Sequence, residues 1–196
     1  EAYVELTVCI MSHNNWLTLP EVIVSLASQN IRINLATAID RDAKDPTKVI
    51  LPFLGQYLAG ANHIARYDYY GDIPHKPVEQ VLAHAKTLFA DKCTTEYIFF
   101  LDADVVLMPD TLPKALAQLK EEECGAVCVP YNVKSDHLEH GCMVMKTDVA
   151  RQVGFDGRQF CGCVNLARDL AKIDLRMSQS RDCVALHRKH CTVLVG

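Results

Sequence analysis

The run Tyr97-Ile98-Phe99-Phe100-Leu101 leads straight into Asp102-Ala103-Asp104. Two bare carboxylates side by side repel each other, and one pKa rises unless a cation joins them. A hard divalent ion such as Mg²⁺ or Mn²⁺ takes these oxygens and keeps coordination positions open for phosphate oxygens. If the strand persists through residue 104, the spacing of two puts both side chains on one face. The plainer alternative has one Asp capping the next helix and the other solvated. It accounts less well for the apolar residues on both sides, Leu101 before and Val105-Val106 after.

A second concentration of possible ligands is Cys183-Val184-Ala185-Leu186-His187-Arg188-Lys189-His190-Cys191. Thiolate and imidazole suit Zn²⁺, and Cys161 and Cys163 would add to such a set. Neither the C-x-C nor the C-x3-H-x2-H-C spacing is a standard finger, which weighs against structural zinc. A third cluster is the polar loop 135–141, SDHLEHG, with Asp136, Glu139 and His140. Ionisable groups beside a cleft suit ligand binding or proton transfer, and a plain surface loop serves the pattern equally well. Asp156 in Phe155-Asp156-Gly157 is a turn residue or faces a ligand. Trp16 and Tyr131 could stack on a ligand ring, though lone aromatics more often belong to a core, and Met143 and Met145 read as packing.

The elements that must hold these groups alternate. Strand patterns at 4–11, 31–39, 63–69 and 96–101 are separated by helical spacings at 19–29, 46–59 and 77–90. A helix at 111–119, strands at 125–130 and 142–145, short helices at 149–153 and 164–173, and a last strand at 191–195 follow. This alternation implies an α/β domain with a mostly parallel sheet and helices on both faces. In such a sheet, ligands bind beyond the carboxyl ends of the strands, where Asp102 and Asp104 fall.

The chain has 196 residues, 49% of them hydrophobic and 22% charged, with a formal net charge of −4. That length and composition imply one globular domain, residues 1–196, and the strand–helix alternation is regular over 1–130 and looser over 131–196. The mild negative charge gives no support for a nucleic-acid partner. The most apolar window, 97–108, is too short for a transmembrane segment and holds two Asp. The first residues do not read as a signal peptide. Nine cysteines, an odd number with Cys9, Cys128 and Cys142 inside apolar runs, read as buried free thiols. That usage places the protein in a reducing, intracellular, cytoplasmic setting.

FFLDADVVLMPDTLPKAL resembles the metal-binding segment of GT-A glycosyltransferases, especially the family 2-like group. Three further stretches resemble other segments of that fold in the same order: TVCIMSHNN with LPEVIVSLASQN its first strand and helix, INLATAIDRD its second strand, and GCMVMKTDVARQVGFDGRQF the later segment on the acceptor side. The likeness covers roughly residues 4–190. It implies the GT-A fold and a nucleotide-sugar donor, a UDP-sugar, with Mn²⁺ or Mg²⁺ on its diphosphate. Asp102 and Asp104 would be metal ligands, and His187 would complete the site, with His190 as the fallback. Arg188 and Lys189 could balance phosphate charge. The donor would lie against Ser12, His13, Asn14, Asp40, Arg41, Lys86, Asp102 and Ala103. In that role Asp40 accepts from a uracil N–H or a ribose hydroxyl, and Arg41 touches phosphate. Many inverting members carry an acidic pair after the FDGRQF-like stretch as the base. Here the place reads Cys161-Gly162-Cys163-Val164-Asn165. Asp156 and Asp136 are the remaining candidates, or the reaction is retaining and needs no such base.

The expected function is transfer of a sugar from the nucleotide-sugar to a hydroxyl of a glycan or glycoprotein. Two alternatives remain. A nucleotidyltransferase would show a Gly-rich basic loop after the first strand, where MSHNNW stands instead. A sugar- or nucleotide-binding module on a decayed transferase fold is favoured somewhat by the missing acidic pair.

Overall fold

The computed structural model describes residues 6–15, 17–42, 64–74, 77–131, 138, 140–155 and 162–188. The helix expected at 46–59 and the strand expected at 191–195 lie outside the described residues.

The first strand, β1 (Leu6–Ser12), is apolar almost throughout and buried nearly end to end. Such a run marks a strand covered on both faces rather than one with a wet side. Helix α1 (Leu19–Ala27) follows, with a proline in its first turn and Leu19, Val22, Ile23 and Leu26 buried on one face. Then come β2 (Ile33–Asp40) and β3 (Ile64–Ile73). The long α2 (Val78–Lys92) leads to β4 (Tyr97–Asp102). Beyond it lie β5 (Val105–Leu107), α3 (Thr111–Glu122), β6 (Ala126–Cys128) and β7 (Cys142–Lys146). Helices α4 (Thr147–Val153) and α5 (Gly162–Ala171), then β8 (Met177–Gln179) and β9 (Ala185–His187), complete the described chain.

Seven strands form one sheet in the order β3-β2-β1-β4-β7-β6-β8, and β5 pairs separately with β9. The pairs β1–β2, β1–β4, β2–β3 and β6–β8 are parallel. Strand β7 runs antiparallel to both neighbours, β4 and β6. The expected mostly parallel sheet is therefore present, with one reversed strand in its middle. Side chains of β4 alternate between two cores. Phe99 and Leu101 join Leu19, Leu26, Leu112 and Leu119 under α1 and α3. Ile98 and Phe100 join Val81, Ala85, Phe89 and Leu170 under α2 and α5. This period-two division is what places helices on both faces.

Three short strands, β5, β8 and β9, were not expected from the pattern. Each is three residues long and exists through its pairing partner: β8 on β6, and β5 and β9 on each other. All seven described cysteines are buried and free of disulfides, as their apolar settings implied. No helix among the described residues is long and apolar enough to cross a membrane.

Candidate functional site

Strand β4 ends at Asp102, and residues 103–104 form a turn. The strand-alternation argument for a shared face therefore does not extend to Asp104. The turn's backbone is fixed from three directions instead. The Asp102 amide donates to the Gly141 carbonyl at 2.7 Å, and the Arg188 amide donates to the Asp104 carbonyl at 2.8 Å. The Thr18 hydroxyl donates to the Ala103 carbonyl at 2.9 Å. Loop backbone that is buried must find partners, and here each residue of the turn has one.

The carboxylate of Asp102 lies in a poorly solvated place. Desolvation pushes its pKa from 3.8 up to about 6, against the lowering pull of the Lys86 ammonium. Asp104 raises it further, while His187 and a hydrogen bond from Tyr131 lower it. The Tyr131 hydroxyl reaches Asp102 Oδ2 at 3.4 Å. The Tyr131 ring also packs against His187, centroids 4.8 Å apart and planes tilted by 35°. Strand β9 pairs with β5 so that His187 stands opposite Val105. That register brings His187 Nε2 to 3.3 Å from Asp104 Oδ2, with both side chains partly shielded.

Lys86, expected on the donor side, is 6% exposed despite its charge. Its Nζ donates to the His140 carbonyl at 3.0 Å and lies 5.8 Å from the Phe100 ring centroid. The ends of β1 and β2 carry the remaining expected donor residues. Ser12 is fully buried, and its hydroxyl has no hydrogen-bond partner among the described atoms. Asn14 adopts φ 55°, a left-handed conformation that Asn tolerates better than most residues. His13 Nδ1 is 3.2 Å from Asp40 Oδ2; the carboxylate is almost fully buried and the imidazole half-exposed. Asp40 Oδ1 also accepts from the Asp42 amide at 2.9 Å. The Arg41 amide donates to the Ile73 carbonyl, and its side chain lies at the exposed edge.

The structure thus brings Asp102, Ala103, Asp104, His187 and Lys86 together, and places Ser12, His13, Asn14, Asp40 and Arg41 along the same carboxyl edge. Met11 of β1 pairs with both Ala38 of β2 and Asp102 of β4, which makes that edge continuous. Asp136 and Asp156, the expected base candidates, lie outside the described residues, as do Trp16, Glu139, Lys189 and His190. Cys163 and Cys183 are buried in their own helix and loop. No group of three described His, Cys, Asp or Glu side chains is already converged on a metal position. The donor types nevertheless suit a hard divalent ion: two carboxylates and one imidazole, with Asp102 carrying a raised pKa that a cation would relieve.

Two positions that spacing alone did not single out shape the site. Gly141 abuts Asp102 so closely that a Cβ there would fall 1.8 Å from Oδ2 and 2.4 Å from the Tyr131 hydroxyl. Thr18 joins the start of α1 to the carboxylate turn. A glycine directly before the apolar run Cys142–Met145 was the one visible signal for the first.

This sheet order and this edge define a GT-A glycosyltransferase fold. The mannosyltransferase PcManGT from Pyrobaculum calidifontis, in complex with GDP-Man and Mn²⁺, superposes with TM-score 0.79 at 16% identity. That match covers 96% of this chain and 58% of the other. GalNAc-T7 with UDP, GalNAc and Mn²⁺ gives 0.73 at 13% identity, over 95% of this chain and 44% of that one. S. aureus TarS 1-349 in complex with UDP-GlcNAc gives 0.64 at 14%, over 95% and 60%. The chain spans about 58% of the length of the first of these. No curated protein matches the chain in sequence. The chain belongs to glycosyl transferase family 2, whose model matches residues 7–141.

Proposed function

We propose that this chain is the catalytic domain of a metal-dependent glycosyltransferase. It moves a sugar from a nucleotide-sugar, a UDP-sugar, to a hydroxyl of a glycan or glycoprotein. The observation that carries the reading is the turn 102–104, where a desolvated carboxylate, a second carboxylate and an imidazole meet at the carboxyl edge of the sheet. Asp102, Asp104 and His187 would hold Mn²⁺ or Mg²⁺, which when bound neutralises charge on a leaving diphosphate. Lys86 adds a fixed positive charge beside Asp102. The half-exposed His13, backed by the buried Asp40 carboxylate, would face a base or ribose, and Ser12 and Asn14 lie along the same edge. Two of the three related structures above carry UDP or UDP-GlcNAc, which supports the choice of donor, and two carry Mn²⁺.

A binding module on a decayed transferase fold is the second reading. It is favoured by the first residues of α5, Gly162-Cys163-Val164-Asn165, which offer no carboxylate. A thermal-shift screen of UDP-, GDP-, dTDP- and CMP-sugars, with and without Mn²⁺, tests the donor and metal assignments. A Mn²⁺-dependent rise with UDP-sugars, lost in Asp104→Ala, is the expected result. No rise with any nucleotide-sugar, or a rise indifferent to Asp104, overturns them. Release of nucleotide from a bound donor separates the enzyme from the module.

A further inference from the structure

Lys86 also lines an open hollow between α2, α5 and the residues leading into β7. Leu82, Lys86, His140, Phe155, Gly162 and Asn165 are among its lining residues. A second hollow shares Leu82 and Lys86 and reaches Asp102, so the two spaces adjoin. His140 is one residue from Gly141, whose backbone abuts the Asp102 carboxylate. Its main chain is held by the Lys86 ammonium at 3.0 Å. Its ring packs onto the first residue of α5: a Cβ on Gly162 would fall 2.4 Å from His140 Nε2 and 2.7 Å from Cδ2. Glycine at 162 therefore leaves the room in which the imidazole stands. Among the described side chains lining this hollow, Lys86 and His140 are the titratable ones. Lys86 is a cation and cannot accept a proton, whereas a neutral imidazole can.

We propose that His140 is the general base of the transfer reaction, taking the proton of the acceptor hydroxyl in the hollow beside Lys86. The proposal rests on the glycosyltransferase reading above and deepens it. The acceptor oxygen bonds to the anomeric carbon as the bond from that carbon to the diphosphate oxygen breaks. The electron pair leaves with the nucleoside diphosphate, and the acceptor proton passes to the imidazole and then to solvent. The attack comes from the face opposite the leaving group, so the anomeric configuration inverts. Gly162 is the specificity element that keeps the base in place, because any side chain there would occupy its volume.

The test measures release of UDP or GDP from UDP-GlcNAc, UDP-GalNAc and GDP-mannose with Mn²⁺, with water and methyl glycosides as acceptors. Donor binding is followed in parallel by thermal shift. His140→Ala is expected to keep the donor-induced shift and to lose roughly 10²-fold or more in nucleotide release. Added imidazole, filling the vacated space, is expected to restore at least about tenfold of that loss. Gly162→Ala meets only the far end of a side chain. It is expected to fold with an unchanged midpoint and still lose activity as the ring is displaced, which keeps the proposal testable if His140→Ala does not fold. Release by His140→Ala within about threefold of wild type overturns the proposal. So does a loss that imidazole leaves unrepaired alongside a fully active Gly162→Ala. A wild type that binds donor and releases no nucleotide, or failure of every donor to shift it, instead overturns the transferase reading itself.

Discussion

Asp40 and Asp102 each close a buried parallel strand, two strands apart on the same sheet edge. Their surroundings differ. Asp40 is held by the Asp42 amide at 2.9 Å and faces His13 at 3.2 Å. Asp102 has a 3.4 Å contact from Tyr131, a second carboxylate beside it and a pKa near 6. A carboxylate that accepts a backbone N–H and faces an imidazole is already compensated where it stands. A desolvated one with a like charge beside it is left uncompensated, the setting the proposed cation would relieve. The same residue at the same point of two strands thus does different work, decided by partners far away in the chain.

The largest expected effect that sharpens this contrast is loss of the cation response. Asp104→Ala should abolish the Mn²⁺-dependent thermal shift and lower transfer by about 10²-fold or more, while Asp40→Asn leaves the Mn²⁺ response in place. Equal loss in both variants would erase the distinction. Next, Gly141→Ala should cost about 1–3 kcal/mol, read as the urea midpoint, because its methyl drives into Asp102 and Tyr131. Its Mn²⁺ affinity should fall as well.

A smaller effect concerns pH in the metal-free protein. The folded Asp102 carboxyl titrates near 6 and its reference value is 3.8. Between these values the native state binds more protons than the unfolded chain, so this group's contribution to stability falls as pH rises. Above about 6 it is level. Asp102→Asn should therefore raise the melting midpoint most above pH 6 and least near pH 4, with the slope difference checked by calorimetry. The smallest effect is at the compensated end. His13→Ala removes a half-exposed partner of Asp40 and should cost about 1 kcal/mol or less in chemical denaturation.

How much of this was legible in the sequence differs between the same two regions. The edge at β1, β2 and β4 announced itself, since each strand is a long apolar run ending in polar residues. Lys86 and His187 were also named from the sequence, and they stand beside Asp102 and Asp104 respectively. The partners that distinguish Asp102 from Asp40 did not. Gly141, Tyr131 and Thr18 act through contacts between segments 29 or more residues distant from Asp102 or Ala103, and no local period encodes such meetings. The short β8 is half-buried and polar, Met177-Ser178-Gln179, and becomes a strand only because β6 lies beside it. Strand alternation does not relate Asp102 to Asp104, because the strand stops at the first of them; the turn brings them together instead.

The three hydrogen bonds that hold the carboxylate turn come from residues 18, 141 and 188. They span nearly the whole described chain. A folding chain that has β4 in place but has not yet docked β9 possesses both aspartates and lacks the bond from Arg188 and the side chain of His187. On the metal assignment proposed above, high-affinity cation binding is a late event, available only once the segment around residues 185–188 has returned to the first helix. Metal uptake followed in real time would then report completion of the domain, and a nascent chain halted before residue 187 would present the carboxylates without the third ligand.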